Sequence, residues 1–324
     1  MSDCRFVMNV KGIGVALIPR IFFQRKLKDI FSDILKYDAK NLAYISERVG
    51  YYNKINSDFS KDLQACHEKE KIGKLPFKKT SLAYDGYKIS KYFKDDLLWV
   101  KKYGDINCTF CPPPVICKSR PLNEKNYNNI ILKLDKNRHF VFLEDKMNFE
   151  NKQNKAVFRG AIYQKHRKEF FERYFGSSLC DLGCTNNDYK MWRKGFLSKQ
   201  EQMKYKFIIS LEGNDVASNL KWALSSNSLV LSPKMTCETW FMEGKLVPNE
   251  HFILVDENNL EEQICYYNAH PKKALQIIQN AHEYIEQFLD EKREFYIGIL
   301  VLAKYFYYSN QLELDKDILE LIKG

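Results

Sequence analysis

The sequence predicts an α/β protein whose C-terminal half is a Rossmann-like parallel sheet with helices on both faces. From about residue 156 onward, short apolar runs alternate with amphipathic helical stretches, the signature of such a sheet. The chain has 324 residues, 45% of them hydrophobic, enough for two cored domains. Residues 1 to about 100 follow a helical pattern instead, as in "LKDIFSDILKYDAKNLAYI", with few clear strands.

The N-terminal stretch "FVMNVKGIGVALIPRIFFQRKLK" holds only eight uncharged residues between Lys11 and Arg20, too few to cross a bilayer. Phe6, Ile18, Ile21, Phe22 and Phe23 stand beside Arg5, Lys11, Arg20, Arg25 and Lys26. Two readings fit: a segment lying in the plane of an anionic membrane surface, or an ordinary amphipathic element packed on the core. In "DINCTFCPPPVICKSR", residues 105–120, three successive prolines forbid a helix and force an extended connection. The polar "FENKQNK" at 149–155 reads as a turn or linker and sets a domain boundary, 1–150 against 151–324. Then come "AVFRG" as strand, "QKHRKEFFERYF" as helix, "SLCDLG" as strand, "SKQEQMKY" as helix, "KFIISLEG" as strand, "VASNLKWALSS" as helix and "SLVLS" as strand. "CETWFMEGKL" reads as helix, "HFILV" as strand, and two helices fill Leu260 to Leu289. The apolar "FYIGILVLAKYFYY" is too short and interrupted for a membrane span and is placed between the domains, packing back on the first. No internal repeat stands out.

Lys and Arg number 51 against 41 Asp and Glu, and the net charge of +10 favours anionic partners: membrane headgroups, nucleic acid or a phosphorylated small molecule. Nine cysteines, an odd number without a secretory signal, point to reduced thiols in a cytoplasmic setting. Cys108, Cys111, Cys117, Cys180 and Cys184 make a poor zinc site, because the prolines intervene and no second C-x-x-C follows. The 20 Tyr and 22 Phe lack any accompanying nucleic-acid motif and are read as core packing and sugar stacking.

In a parallel sheet, ligands sit beyond the carboxyl ends of the strands, where helix N-termini offer free N–H groups. "SLEGNDVASNLKWALSSNSLVL", residues 210–231, belongs there. Gly213 gives the backbone room, Asn214 and Asp215 are natural N-caps, Ser218 and Asn219 follow, and Lys221 adds a charge. The same residues also make a plain helix cap. "GIG" at 12–14 lacks the third glycine of a dinucleotide fingerprint, and no Walker loop is present. Glu238, after the strand "SLVLS", suits a pair of ribose hydroxyls, and Glu243 falls on another face of the same expected helix. A solvated surface charge is the ordinary reading of each.

"VICKSRP", "VFRGAIYQKHR" and "SLEGNDVASNLKWALSSNSLVLSPKMTCETWFMEGKLVPNEHFILV" together resemble glycosyltransferase family 90, in its bacterial lipopolysaccharide A protein type. Animal protein O-glucosyltransferases and fungal capsule xylosyltransferases are more distant. The similarity covers roughly Asp105 to Leu289. It implies a GT-B fold, two Rossmann-like domains facing a cleft, the first with extra helices on the acceptor side and the second binding a UDP-sugar. It implies inverting transfer to a hydroxyl of a lipopolysaccharide, lipooligosaccharide or related glycan, with no cofactor and no essential metal. By that resemblance Arg159 and Gly160 serve the diphosphate, with His166 and Arg167 assisting. Animal members carry arginine where this chain has Glu212, which shifts the expected load to Arg159, Lys221, Lys118 and Arg120. The expected base is Asp105, with Asp135 in reserve. The expected setting is cytoplasmic, peripheral on the inner face of the inner membrane, with no nucleic acid. The competing reading is a non-catalytic basic α/β module that binds nucleotide or nucleic acid.

Overall fold

Main-chain contacts divide the chain into a first unit of Met1–Asn137, Cys237–Trp240 and Phe288–Gly324, and a second of Arg138–Thr236 and Phe241–Gln287. The structure is a computed structural model, and it describes residues 19–74 and 80–323. Arg5, Phe6, Lys11, the "GIG" run and Ile18 lie outside the described residues.

The first unit is built around the helix Glu291–Tyr308. Asp290 caps it by accepting from the Arg293 N–H at 2.9 Å. Ile297, Ile299, Leu300, Val301 and Leu302 are fully buried. Helices Ala39–Tyr52, Thr80–Ser90 and Lys316–Lys323 pack against it. Its apolar composition is therefore that of a core helix, surrounded on several sides. Among the described residues no helix is long and apolar enough to cross a membrane.

Short strands complete this unit. β1 (Glu70–Lys71) pairs antiparallel with β2 (Leu98–Trp99). β3 (Lys101–Lys102), β4 (Val115–Cys117) and β6 (Asn129–Ile131) form a parallel three-stranded sheet in the order β3-β4-β6. β5 (Ser119–Pro121) pairs antiparallel with β11 (Cys237–Thr239). The segment read as the helix "CETWFMEGKL" is thus a strand followed by a turn. Met242 takes a left-handed conformation, φ 55°, which no helix continues through, and only a 3-10 turn, Glu243–Lys245, follows.

Lys304, on the core helix, is 4% exposed and has no hydrogen bond or ion pair among the described residues. Burial lowers its ammonium from the usual 10.5 to about 8. The unfolded chain therefore binds the extra proton between those two values, and stability rises with pH across that window. The penalty is complete below about pH 8 and gone above about pH 10.5, on the order of 3 kcal/mol in all. Lys304→Met is expected to raise the denaturant midpoint at neutral pH and to narrow its lead over the parent as the pH approaches 10.5. A constant difference between the two proteins across that range would refute this.

The second unit carries a five-stranded sheet, all parallel, in the order β12-β10-β9-β7-β8. Its members are β7 (Gln153–Gly160), β8 (Cys180–Cys184), β9 (Tyr205–Ile209), β10 (Leu229–Ser232) and β12 (Ile253–Leu254). Phe207, Ile208, Ile209 and Leu231 are wholly buried, as expected of strands covered on both faces. Helices Lys165–Tyr174, Leu260–Ala269 and Pro271–Glu286 supply that cover, with Phe171, Ile264 and Ala274 in one core with the strands. The stretch read as a linker is built into this unit. Lys152 is buried, with its ammonium 2.5 Å from Asp145 and 2.9 Å from the Ser228 hydroxyl. Asn227 N–H also donates to Asp145, at 2.9 Å. These bonds tie residues 145–152 to the approach to β10, and the division falls at 137/138 instead of at 150.

Candidate functional site

Numbered from β7, the sheet order reads 2-1-3-4-5, a doubly wound sheet whose direction of winding reverses between its first and third strands. That switch point lies between the carboxyl ends of β7 and β9, where Gly160 ends one strand and residues 210–213 follow the other.

Arg167 fastens these two loops together. Its guanidinium donates to the carbonyl of Ala161 at 2.7 Å, of Leu211 at 2.7 Å and of Glu212 at 2.8 Å. Burial, reinforced by the like charge of Arg138, lowers its pKa to about 10. Arg167 is thus a cation held at the switch point by main-chain carbonyls. His166 Nε2 lies 2.9 Å from the Glu212 carbonyl, and Gln164 donates to Asn214 Oδ1 at 2.9 Å. The Glu212 carboxylate accepts from the Thr236 N–H at 3.0 Å and from its hydroxyl at 2.6 Å, binding in the loop after β10 as well. Gly160 is required sterically: a Cβ there would stand 2.7 Å from the Phe158 ring. A Cβ on Gly213 would meet the Arg167 guanidinium at 3.6 Å, an ordinary contact.

The run 213–219 does not cap a helix. The helix begins at Leu220 and is five residues long, Leu220–Leu224. Asn219 instead donates its amide to the Ile209 carbonyl at 2.9 Å and meets the Ser210 hydroxyl at 3.2 Å, folding the segment back over the end of β9. Asn214 is exposed, Asp215 buried and Ser218 half-buried along this loop.

Four cations expected at a diphosphate are engaged elsewhere. Arg159 crosses to β8, with its guanidinium 3.0 Å from both Asp181 oxygens. Partial burial opposes ionisation of Asp181, but Lys194, Tyr205 and Arg159 outweigh it and bring the carboxyl down to about 2. Lys221 is fully buried and paired with the equally buried Glu243. Arg120 stands directly opposite Glu238 in the β5–β11 ladder, 2.7 Å from its carboxylate. It also donates to the carbonyls of Tyr51 at 2.8 Å and Asn129 at 3.3 Å, and Tyr51 donates to Glu238. Both side chains are buried, so Glu238 serves Arg120 where a ribose was expected. Lys118 donates to Asp105 at 2.6 Å. In each case an acid brought in by the fold fills the cation.

Asp105 nevertheless keeps an accessible edge: its side chain is 27% exposed, against 2% for Lys118. Its loop is shaped by Gly104, φ 147°, and by the Ile106 N–H donating to the Ser119 hydroxyl at 3.0 Å. Asp135 is left-handed, φ 56°, and accepts from Ser81 at 2.9 Å. No cluster of three or more His, Cys, Asp or Glu fit to hold a metal occurs among the described residues, and the described cysteines are free thiols. Sequence reading missed Arg138 and Thr236, which carry no periodic or motif signal. It also missed Tyr163, 72% exposed beside Gln164.

A doubly wound α/β unit with its two switch-point loops tied by Arg167 is a protein whose candidate ligand crevice lies at the carboxyl ends of β7 and β9. The sequence profile of glycosyl transferase family 90 matches residues 128–313, more than half of the chain. The chain is 35% identical over 304 residues to the O-glucosyltransferase LpsA of Dichelobacter nodosus, 92% of this chain and 93% of that one. It belongs to glycosyl transferase family 90 and is a glycosyltransferase, with a sugar donor and a glycan acceptor as its substrates. Among solved structures it is similar to the C-terminal domain of a glycosyl transferase group 1 family protein from Francisella tularensis. That likeness is 14% identical, covers 41% of this chain and 83% of that one, and has a TM-score of 0.30.

Proposed function

We propose that this glycosyltransferase moves a sugar from a UDP-sugar to a hydroxyl of a lipopolysaccharide or related glycan, with inversion and without a metal ion. The proposed arrangement is GT-B: the second unit holds the donor and the first supplies the base. The observation that carries this is the Arg167 clamp at the switch point, where the loops after β7 and β9 converge on one guanidinium. Three of its N–H groups hold carbonyls, and in this reading the remaining ones meet a phosphate oxygen. As the glycosidic bond to UDP breaks, negative charge grows on the diphosphate, and cations already fixed in place neutralise it without reorganising. Asp105 takes the proton of the attacking hydroxyl. Its relative in Dichelobacter nodosus is named an O-glucosyltransferase, so UDP-glucose is the first donor to test.

The test is thermal unfolding of the full chain with UDP-sugars, with and without a chelator. UDP-glucose is expected to raise the melting temperature equally in both. Arg167→Ala is expected to abolish that rise and to lower kcat/KM by about 10²–10³-fold. No response to any UDP-sugar, with no hydrolysis of one, would overturn the reading in favour of a non-catalytic module.

A further inference from the structure

We propose that the segment after β8, residues 185–199, docks this chain on an anionic membrane surface. The inference goes beyond sugar transfer and is tested without a sugar. The segment follows the edge strand of the five-stranded sheet, outside the pair β7 and β9 that frames the switch point. Two large apolar side chains on it face solvent, Met191 at 75% and Phe196 at 82% exposure.

Their exposure is built in, because the backbone that carries them is fastened at several points. Trp192 is buried between them in sequence, stacked on Tyr189 with centroids 5.0 Å apart and packed on Phe171 at 5.6 Å. Arg193 forms a parallel bridge with Cys184, Arg159 Nε donates to the Gly195 carbonyl at 3.1 Å, and the Ile162 N–H donates to Asn186 at 2.8 Å. With Trp192 turned inward and Gly195 held, Met191 and Phe196 are kept in water at a standing hydrophobic cost.

The charges around them choose the occupant. Lys190, Arg193, Lys194 and Lys199 stand against a single acid, Asp188, within the segment. Lys190 and Arg193 are exposed and make no ion pair among the described residues, while Lys194 is shared with Asp181. Exposed apolar side chains interleaved along one tethered segment with exposed cations match the boundary between acyl chains and anionic headgroups. A second copy of this chain is disfavoured, because a two-fold interface would press the same cations against themselves.

The test is cosedimentation of the full chain with vesicles of phosphatidylcholine alone and of phosphatidylcholine mixed with phosphatidylglycerol. The parent is expected to pellet with the anionic vesicles only, and to be released by salt. The double substitution Met191→Ser, Phe196→Ser is expected to weaken binding about tenfold or more. Lys190→Gln with Arg193→Gln is expected to weaken it about fivefold per cation at low ionic strength. Both variants change exposed side chains, so their thermal unfolding is expected to match the parent's. The proposal is overturned if the parent ignores the anionic lipid or if either variant binds as the parent does, which would place the anchor elsewhere in the chain. It is also overturned if the serine pair instead dissolves a dimer seen by light scattering, or if added nucleic acid displaces the parent from vesicles and loses its grip on the variants.

Discussion

Asp105→Asn should lower the rate of transfer by about 10²–10⁴-fold while leaving the thermal response to UDP-glucose intact. The amide keeps the shape of the carboxyl and keeps an oxygen for the Lys118 ammonium, which donates to Asp105 at 2.6 Å and is itself almost wholly buried. What the amide cannot do is accept the proton of an attacking hydroxyl. The loss therefore falls on kcat, with little change in donor affinity. Asp105→Ala is a poorer probe, because it also takes away the acceptor that Lys118 uses inside the first unit. Equal activity of Asp105→Asn and the parent would move the role of base to another carboxylate, and Asp135 is then the residue to substitute next.

Glu294→Ala should destabilise the first unit by about 3–5 kcal/mol, the cost of leaving buried cations without their counter-ion. Glu294 joins three groups. Its Oε1 meets Arg48 at 2.9 Å; its Oε2 accepts from Lys133 at 2.9 Å and from the Trp240 indole N–H at 2.5 Å. Arg48 is 2% exposed and also donates to Tyr44 at 2.6 Å and Tyr52 at 2.9 Å, and the Tyr52 ring stacks on Trp240 with centroids 3.8 Å apart. Removing the carboxylate leaves the buried Arg48 guanidinium and the Lys133 ammonium without their shared counter-ion, and the low dielectric of the interior makes that costly. Denaturant unfolding of the variant measures the loss. Glu294→Gln should cost less, since it keeps the acceptor geometry and gives up only the charge. A change below about 1 kcal/mol for Glu294→Ala would show that water reaches the network and replaces the acid.

Much of the second unit was legible in the sequence. A parallel strand covered on both faces leaves an unbroken apolar run: β10 and β12 lie inside the runs that suggested them, and β7, β8 and β9 overlap theirs, β7 opening three residues earlier at Gln153, inside the stretch read as a linker. The helix Lys165–Tyr174 was legible for the same reason, as an amphipathic stretch between two such runs. The short helix Lys199–Gln202 has a local start signal, the capping box of Ser198 and Glu201. Residues 237–245 were not legible: Cys237–Thr239 becomes a strand because Ser119–Pro121 pairs with it, and that partner is remote in sequence. Nor was the helix start after Gly213, where a local cap pattern lost to the tie between Asn219 and the end of β9.

By itself the sequence determined the family, the parallel character of the C-terminal sheet and the stretch of loop that ends at its switch point, because these depend on local runs and contiguous motifs. Only the tertiary structure decided which cations remain near that point. Arg159, Arg120 and Lys221 are each claimed by an acid, Asp181, Glu238 and Glu243, while Arg167 holds only carbonyls. The physical reason is that a buried charge is held by whichever opposite charge the fold sets within a few ångströms of it, and that partner is fixed by chain packing across the unit, which residue order along a motif does not encode.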